Sequence, residues 1–167
     1  MEAGHQSVAI TYCIGDATCP SGNGQKVIVH ICNDLGKWGK GFVLALSRRW
    51  QEPESIYRQA FNAIPAPVLG DVQFVRVDSE ITVANLIGQH GIARGRQGAV
   101  PVRYPAIQQG LKVIAQYACA HNATIHMPRI GCGLAGGSWD KIEPILEETL
   151  LTEGLAVFVY DLPDKIH

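Results

Sequence analysis

The chain has 167 residues, 47% of them hydrophobic and 17% charged, with a formal net charge of −1. That length suits a single domain, residues 1–167, with a sizeable core, and the composition excludes a disordered segment. The near-neutral charge excludes a protein that grips duplex nucleic acid through its phosphates, while leaving room for nucleic acid as a bound end-group.

Residues 1–7 lack the basic-then-apolar pattern of a leader, and no apolar run approaches the roughly 20 residues that a membrane span needs. The five cysteines (13, 19, 32, 119 and 132) are odd in number and contain no CxxC pair. They read as reduced thiols, so a cytoplasmic location is expected.

In chain order, Val8 to Cys13 is short and β-rich, and residues 16–24 form a Gly-, Pro- and Asn-rich loop. Val27 to Cys32 is almost continuously apolar, as expected of a strand covered on both faces. A glycine-bearing loop, 33–41, leads into a helix from Phe42 to Trp50 with apolar spacing at Phe42, Leu46 and Trp50. A second helix is predicted from Pro53 to Ala63, with the proline acceptable in its first turn. Strands follow at Val72 to Val77 and Ile81 to Ile87, then an irregular polar loop over 89–102. Tyr104 to His121 reads as a helix with Ile107, Leu111, Ile114 and Ala118 on one face. Strand Ala123 to Met127, the loop 131–137, a helix from about Asp140 to Leu151 and a last strand Leu155 to Tyr160 complete the chain. Pro144 falls early in that helix and predicts a late or irregular first turn. Helical crossovers between apolar strands imply an α/β fold with a parallel or mixed sheet and helices on both faces.

The chemistry concentrates in two glycine-rich loops. Four glycines fall between Gly131 and Gly137, and Gly36, Gly39 and Gly41 punctuate the other loop. Glycine there supplies positive φ and lets main-chain N–H groups approach a ligand. A glycine-rich turn between a strand and a helix N-terminus is a ready anion cradle; the alternative is a tight connection without a ligand. Both loops follow buried strands and should share one sheet edge, where open α/β sheets bind ligands, so together they suit a diphosphate. Neither ends in Gly-Lys-Ser/Thr, and neither matches the dinucleotide fingerprint, which argues against a Mg²⁺-dependent nucleoside triphosphatase.

Asp16 could accept from an exocyclic amine or hold a turn. Asn33 and Asp34, at a strand end beside glycine, could orient a ribose or a water, or form an Asx turn. Cys132 lies between two glycines with no histidine in its motif, so a packed thiol is expected rather than a nucleophile. His30 and His126 lie inside apolar strands as core histidines, and His90 and His121 flank loops. No histidine pair has metal-ligand spacing, so neither metal nor cofactor is expected. Trp38 and Trp139 each follow a glycine loop and could wall a ligand or pack loop on loop.

Three segments together resemble the macrodomain family: Ile10-Thr11-Tyr12-x-x-Gly15-Asp16, His30-x-Cys32-Asn33-Asp34-x-Gly36-x-Trp38-Gly39-x-Gly41, and Met127-Pro128-Arg129-Ile130-Gly131-Cys132-Gly133-Leu134. The resemblance covers Val8 to Leu162. It is greatest to the branch holding the macrodomain of a liver-cancer-amplified chromatin remodeller, the terminal ADP-ribose protein glycohydrolase, and bacterial antitoxins that remove ADP-ribose from DNA. It implies a three-layer α/β/α sandwich around a mixed sheet of about six strands. It also implies that ADP-ribose binds with Asp16 and the neighbouring Ala17 at the adenine and Leu162 covering the adenine face. Ile130, Gly131, Cys132, Gly133, Leu134, Ala135 and Gly136 would cradle the diphosphate, and Trp38, Gly39, Gly41 and Phe42 would flank the distal ribose.

The glycohydrolase of this branch uses a lysine and an aspartate. Here the corresponding positions are near Gln89 and at Ala135, and no lysine occurs between Lys40 and Lys112. A covalent lysine mechanism is therefore not expected. The sequence instead predicts a metal-free hydrolase of ADP-ribosyl linkages, on acidic side chains or on a nucleobase. Asn33, Asp34 and Gln89 are its candidate polar contacts to an attacking water. The alternatives are a non-catalytic ADP-ribose reader and an ADP-ribose 1″-phosphate phosphatase. The expected partners are ADP-ribose and ADP-ribosylated protein or DNA, with no membrane contact and no duplex-specific binding, on a monomer.

Overall fold

The computed structural model describes residues 9–95 and 98–163, so the expected strand start at Val8 lies outside the described residues. In chain order the elements are β1 (Thr11–Ile14), β2 (Lys26–Asn33), α1 (Phe42–Arg49), α2 (Glu52–Ala60), β3 (Val72–Arg76), β4 (Ile81–Gln89), α3 (Tyr104–His121), β5 (Thr124–Met127), α4 (Trp139–Thr149) and β6 (Val157–Asp161). The strands form one six-stranded mixed sheet in the order β1-β6-β5-β2-β4-β3. Five strands are mutually parallel, and β3 runs antiparallel to β4 at one edge. The carboxyl ends of β1, β6, β5, β2 and β4 therefore open onto a common edge.

Burial explains the continuous apolar character of β2. Val27 and Val29 enter one core with Ile107, Leu111 and Ile114 of α3 and Ile142 and Leu146 of α4. Ile28 and Cys32 enter a second core with Val43 and Leu46 of α1 and Tyr57 of α2. Alternate residues of one strand thus feed two hydrophobic layers, the sequence signature of a sheet sandwiched by helices. The expected α/β/α sandwich is the observed architecture.

The helix around Pro144 begins at Trp139, earlier than expected, with the proline at its sixth position. Pro144 supplies no N–H to the carbonyl four residues back, on Asp140. Both residues are exposed, so water can reach the orphaned carbonyl, which is why the helix tolerates the proline. The expected irregular loop after β4 is tied at its base. Gln89 bridges Val102, the His90 amide donates to the Pro101 carbonyl at 2.8 Å, and that of Gly95 donates to the Ala99 carbonyl at 2.8 Å.

Candidate functional site

A cleft of about 690 Å³ lies along the carboxyl edge of the sheet. One wall is the β5–α4 loop, Pro128 to Ala135; the other is Lys40, Gly41, Phe42 and Val43 at the start of α1. These walls face each other because β5 and β2 are direct parallel neighbours, with Ile28 beside His126.

The glycines of the β5–α4 loop have different duties. A Cβ on Gly137 would lie 2.2 Å from the Gly131 carbonyl oxygen, which accepts the Gly137 amide at 2.7 Å. A Cβ on Gly136 would strike Val100 at 2.7 Å. Those two positions are glycine for packing, and neither lines the cleft. Gly133 is different: its φ is +68° and a Cβ there would meet nothing within 4 Å, at a residue that does line the cleft. Among the described residues, the amides of Gly133 and Leu134 find no main-chain acceptor. Ile130 and Ala135 are buried and anchor the loop in the core, while Leu134 is exposed at the mouth.

On the opposite wall, Gly41 adopts φ +84° and turns the chain into α1, whose first turn carries no acidic residue. The amides of Phe42 and Val43 have no helical acceptor at that terminus, so their partial positive charge faces the cleft. Lys40 and Arg48 add cationic side chains to the lining. The site therefore offers main-chain donors from both sides and suits an extended anion.

At the β1 end, Asp16 Oδ1 accepts the amide and the hydroxyl of Thr18, each at 2.8 Å. Asp16 is exposed and lines the cleft beside buried Ala17, Tyr160 and half-exposed Leu162. Both sequence readings of Asp16 are compatible with this geometry, one for each oxygen.

At the β4 end, Gln89 lines the cleft and its amide donates to the Gly91 carbonyl at 2.9 Å. Asp34 faces the loop after β4 from the β2–α1 loop. Its Oδ2 lies 2.7 Å from His90 Nδ1 and its Oδ1 accepts the Gly91 amide at 2.8 Å. Burial acts to raise the Asp34 pKa, but the Gly91 amide and His90 outweigh it and hold the carboxyl below its ordinary value.

Two expected ligand contacts turn inward. Asn33 is buried; its amide donates to the Lys37 carbonyl, while its Oδ1 accepts the Leu35 amide at 2.9 Å and the Tyr57 hydroxyl at 2.8 Å. That is the Asx-turn alternative, reinforced by a tyrosine from α2; it commits the side-chain oxygen and one amide proton to the protein, and Asn33 lies outside the cleft lining. Trp38 is 4% exposed, donates to Ser47 Oγ at 2.7 Å and packs on His30 and Tyr57, so it braces the loop instead of walling a ligand. Gly39 is exposed on the same loop and lies outside the cleft lining. Cys132 lines the cleft, but burial pushes its thiol pKa up despite the opposing charge of Arg129, which fits a packed thiol.

The residues that escaped sequence reading lie at strand ends. Arg129 makes a bidentate pair with Asp161 at 2.8 and 2.9 Å and stacks over Tyr12 and Trp139, clamping the loop to the rim. Tyr160, on the cleft floor, receives the Ser21 amide at 3.2 Å and contacts His126 at 2.8 Å. The Asp34–His90 contact joins residues 56 apart, with only their positions at the ends of β2 and β4 to signal it. His30 and His126 are core histidines as expected, and burial lowers each pKa to about 4.

No family model matches the chain. A macrodomain protein from Streptomyces coelicolor is 49% identical; the match covers 91% of this chain and 98% of that one, with a TM-score of 0.80. The chain belongs to the macrodomain family. A Bacteroides thetaiotaomicron protein of unknown function is 55% identical, covering 94% of this chain and 100% of that one, with a TM-score of 0.92. The mouse chromodomain-helicase-DNA-binding protein 1-like is 33% identical over 94% of this chain, which spans only 18% of that protein's length. More distantly, human ADP-ribose glycohydrolase OARD1 is 23% identical, over 92% of this chain and 91% of that protein.

Proposed function

We propose that the cleft binds ADP-ribose and that the protein hydrolyses an ADP-ribosyl linkage at C1″ of the distal ribose, without a catalytic lysine. One observation carries the binding part: unpartnered amides of Gly133 and Leu134 on one wall and of Phe42 and Val43 on the other wall of one cleft, where a diphosphate would lie between them. Asp16 at the β1 end supplies an acceptor for the adenine amine, with Ala17 and Leu162 as the apolar surfaces for its ring. The distal ribose then reaches toward Gly41, Phe42 and Gln89. The likeness to an ADP-ribose glycohydrolase supports hydrolysis as the reaction.

The inward turn of Asn33 favours one competing reading, a non-catalytic reader, because it removes one of the three expected water contacts. Incubation with glutamate-ADP-ribosylated protein and with thymidine-ADP-ribosylated DNA separates the two. Loss of label from either substrate is the expected result. Retained label on both, with ADP-ribose still binding by calorimetry, establishes the reader.

A further inference from the structure

We propose that His90, held by Asp34, is the general base that activates the attacking water; this rests on the hydrolase reading of the cleft. The shared sheet edge runs β1, β6, β5, β2, β4. With adenine at Asp16, after β1, and diphosphate at the free amides after β5, the ligand's reacting end is directed toward β2 and β4. That end is closed by Gln89, the last residue of β4 and part of the cleft lining, and His90 is the next residue in the chain.

The backbone around His90 is fixed on both sides. Its amide donates to the Pro101 carbonyl at 2.8 Å, Gln89 bridges Val102, and the Gly91 amide is held by Asp34 Oδ1 at 2.8 Å. The imidazole is fixed as well, because Nδ1 lies 2.7 Å from Asp34 Oδ2. An ionised carboxylate can only accept, so the proton sits on Nδ1 and the neutral ring carries its lone pair on Nε2. The Asp34 pKa, depressed as described, keeps that acceptor ionised. Among the described residues Nε2 has no hydrogen-bond partner; the His90 side chain is 64% exposed and that of Asp34 15%, and while neither is part of the cleft lining, Gln89, the residue before His90, is. A partly buried carboxylate that orients an accessible imidazole is the arrangement of a base awaiting a water. Asp34 is the charged partner supplied by the β2–α1 loop; Arg94, on the imidazole's own loop, donates to the Gly98 carbonyl at 3.2 Å.

The step balances without a cofactor. Nε2 takes a proton from water as the water oxygen bonds to C1″. The bond from C1″ to the ester oxygen breaks, its electron pair leaves on the carboxylate, and the imidazolium returns its proton to solvent. The products are ADP-ribose and a free carboxylate. This chemistry needs no lysine, in keeping with a chain that has none between Lys40 and Lys112.

The test compares wild type, His90→Gln, Asp34→Asn and the double variant on glutamate-ADP-ribosylated protein and thymidine-ADP-ribosylated DNA, with ADP-ribose calorimetry alongside. His90→Gln should lower kcat by about 100-fold, within the usual span of general-base catalysis, and leave the ADP-ribose Kd within about twofold. The wild-type rate should rise with pH along a limb that His90→Gln lacks. Asp34→Asn should also lower kcat, and the double variant should be no slower than His90→Gln, as for groups that act as a unit. A His90→Gln enzyme that keeps more than half of kcat, keeps the pH limb, or loses affinity in step with rate overturns the assignment. Wild type that binds ADP-ribose but turns over neither substrate removes hydrolysis and the base together. Turnover indistinguishable between wild type and His90→Gln removes the base alone.

Discussion

Replacing Gly133 by glutamate tests the anion cradle with little interference from packing. The residue sits at φ +68°, and a Cβ there points into space with no atom within 4 Å. The fold therefore loses only the cost of a left-handed non-glycine residue, about 1–2 kcal/mol. The ligand loses more. A carboxylate about 5 Å from a phosphate, at an effective dielectric near 20, is repelled by about 3 kcal/mol, or roughly 100-fold in affinity. Gly133→Gln has the same shape without the charge and isolates the steric part. Calorimetry with ADP-ribose should show Gly133→Glu at least about 100-fold weaker than wild type, with Gly133→Gln between them. Raising the salt toward 1 M, where the Debye length is about 3 Å, should narrow the gap between the two variants. Thermal melts should place the variants close together, since both carry the same backbone strain. Wild-type affinity in Gly133→Glu, with the protein folded, would refute the placement of the diphosphate at this loop.

Gly137→Ala should act on the fold instead, because its Cβ would enter the Gly131 carbonyl at 2.2 Å; a melting temperature unchanged from wild type would contradict that packing. Asp16→Asn keeps an oxygen for Thr18 but replaces the outward acceptor with a donor, so ADP-ribose affinity should fall about 10-fold with no change in melting temperature. Asn33→Ala removes the acceptor of Tyr57 and of the Leu35 amide and should cost about 2–3 kcal/mol in urea unfolding. Acid should destabilise the protein through His30 and His126. Each is held neutral by burial with a folded pKa of about 4, against an ordinary value of 6.5. The unfolded chain binds those protons first, so stability is full above pH 6.5 and falls as pH drops toward 4, by on the order of 3 kcal/mol for each histidine. Urea midpoints that stay constant from pH 7 to 4.5 would contradict a neutral buried pair.

The scaffold was legible where one strand or helix carries its own pattern. Val27 to Cys32 is apolar apart from His30 because its alternate residues enter two cores, and that run alone implies helices on both faces. Tyr104 to His121 matches α3 end to end because its apolar face is regular and the chain turns left-handed at Asn122. The polar residues at strand ends were harder to read, since their roles depend on which element packs beside them. Asn33 has the same sequence context whether it meets a water or closes a turn; the Tyr57 hydroxyl, from a helix that starts 19 residues later, settles the matter by occupying its oxygen. Trp38 is drawn inward for a similar reason, because Ser47 Oγ and the buried Val43 carbonyl of α1 accept from its indole.

Asp34 and His90 show the converse. Asp34 stands out in sequence beside its glycine loop and His90 does not, and only the adjacency of β2 and β4 in the sheet brings them to 2.7 Å. The sheet order also carries a functional consequence that no local motif holds. It puts Asp16 and His90 at opposite ends of one edge, with two loops of free amides between them. A ligand of fixed length, gripped at its middle and recognised at one end, must then present its other end at one place. A base anchored at that place by the fold acts on whatever bond the ligand carries there. Recognition and reaction are thereby separated along the edge, so substitutions at Asp16 should change affinity without the pH profile, and substitutions at His90 the reverse.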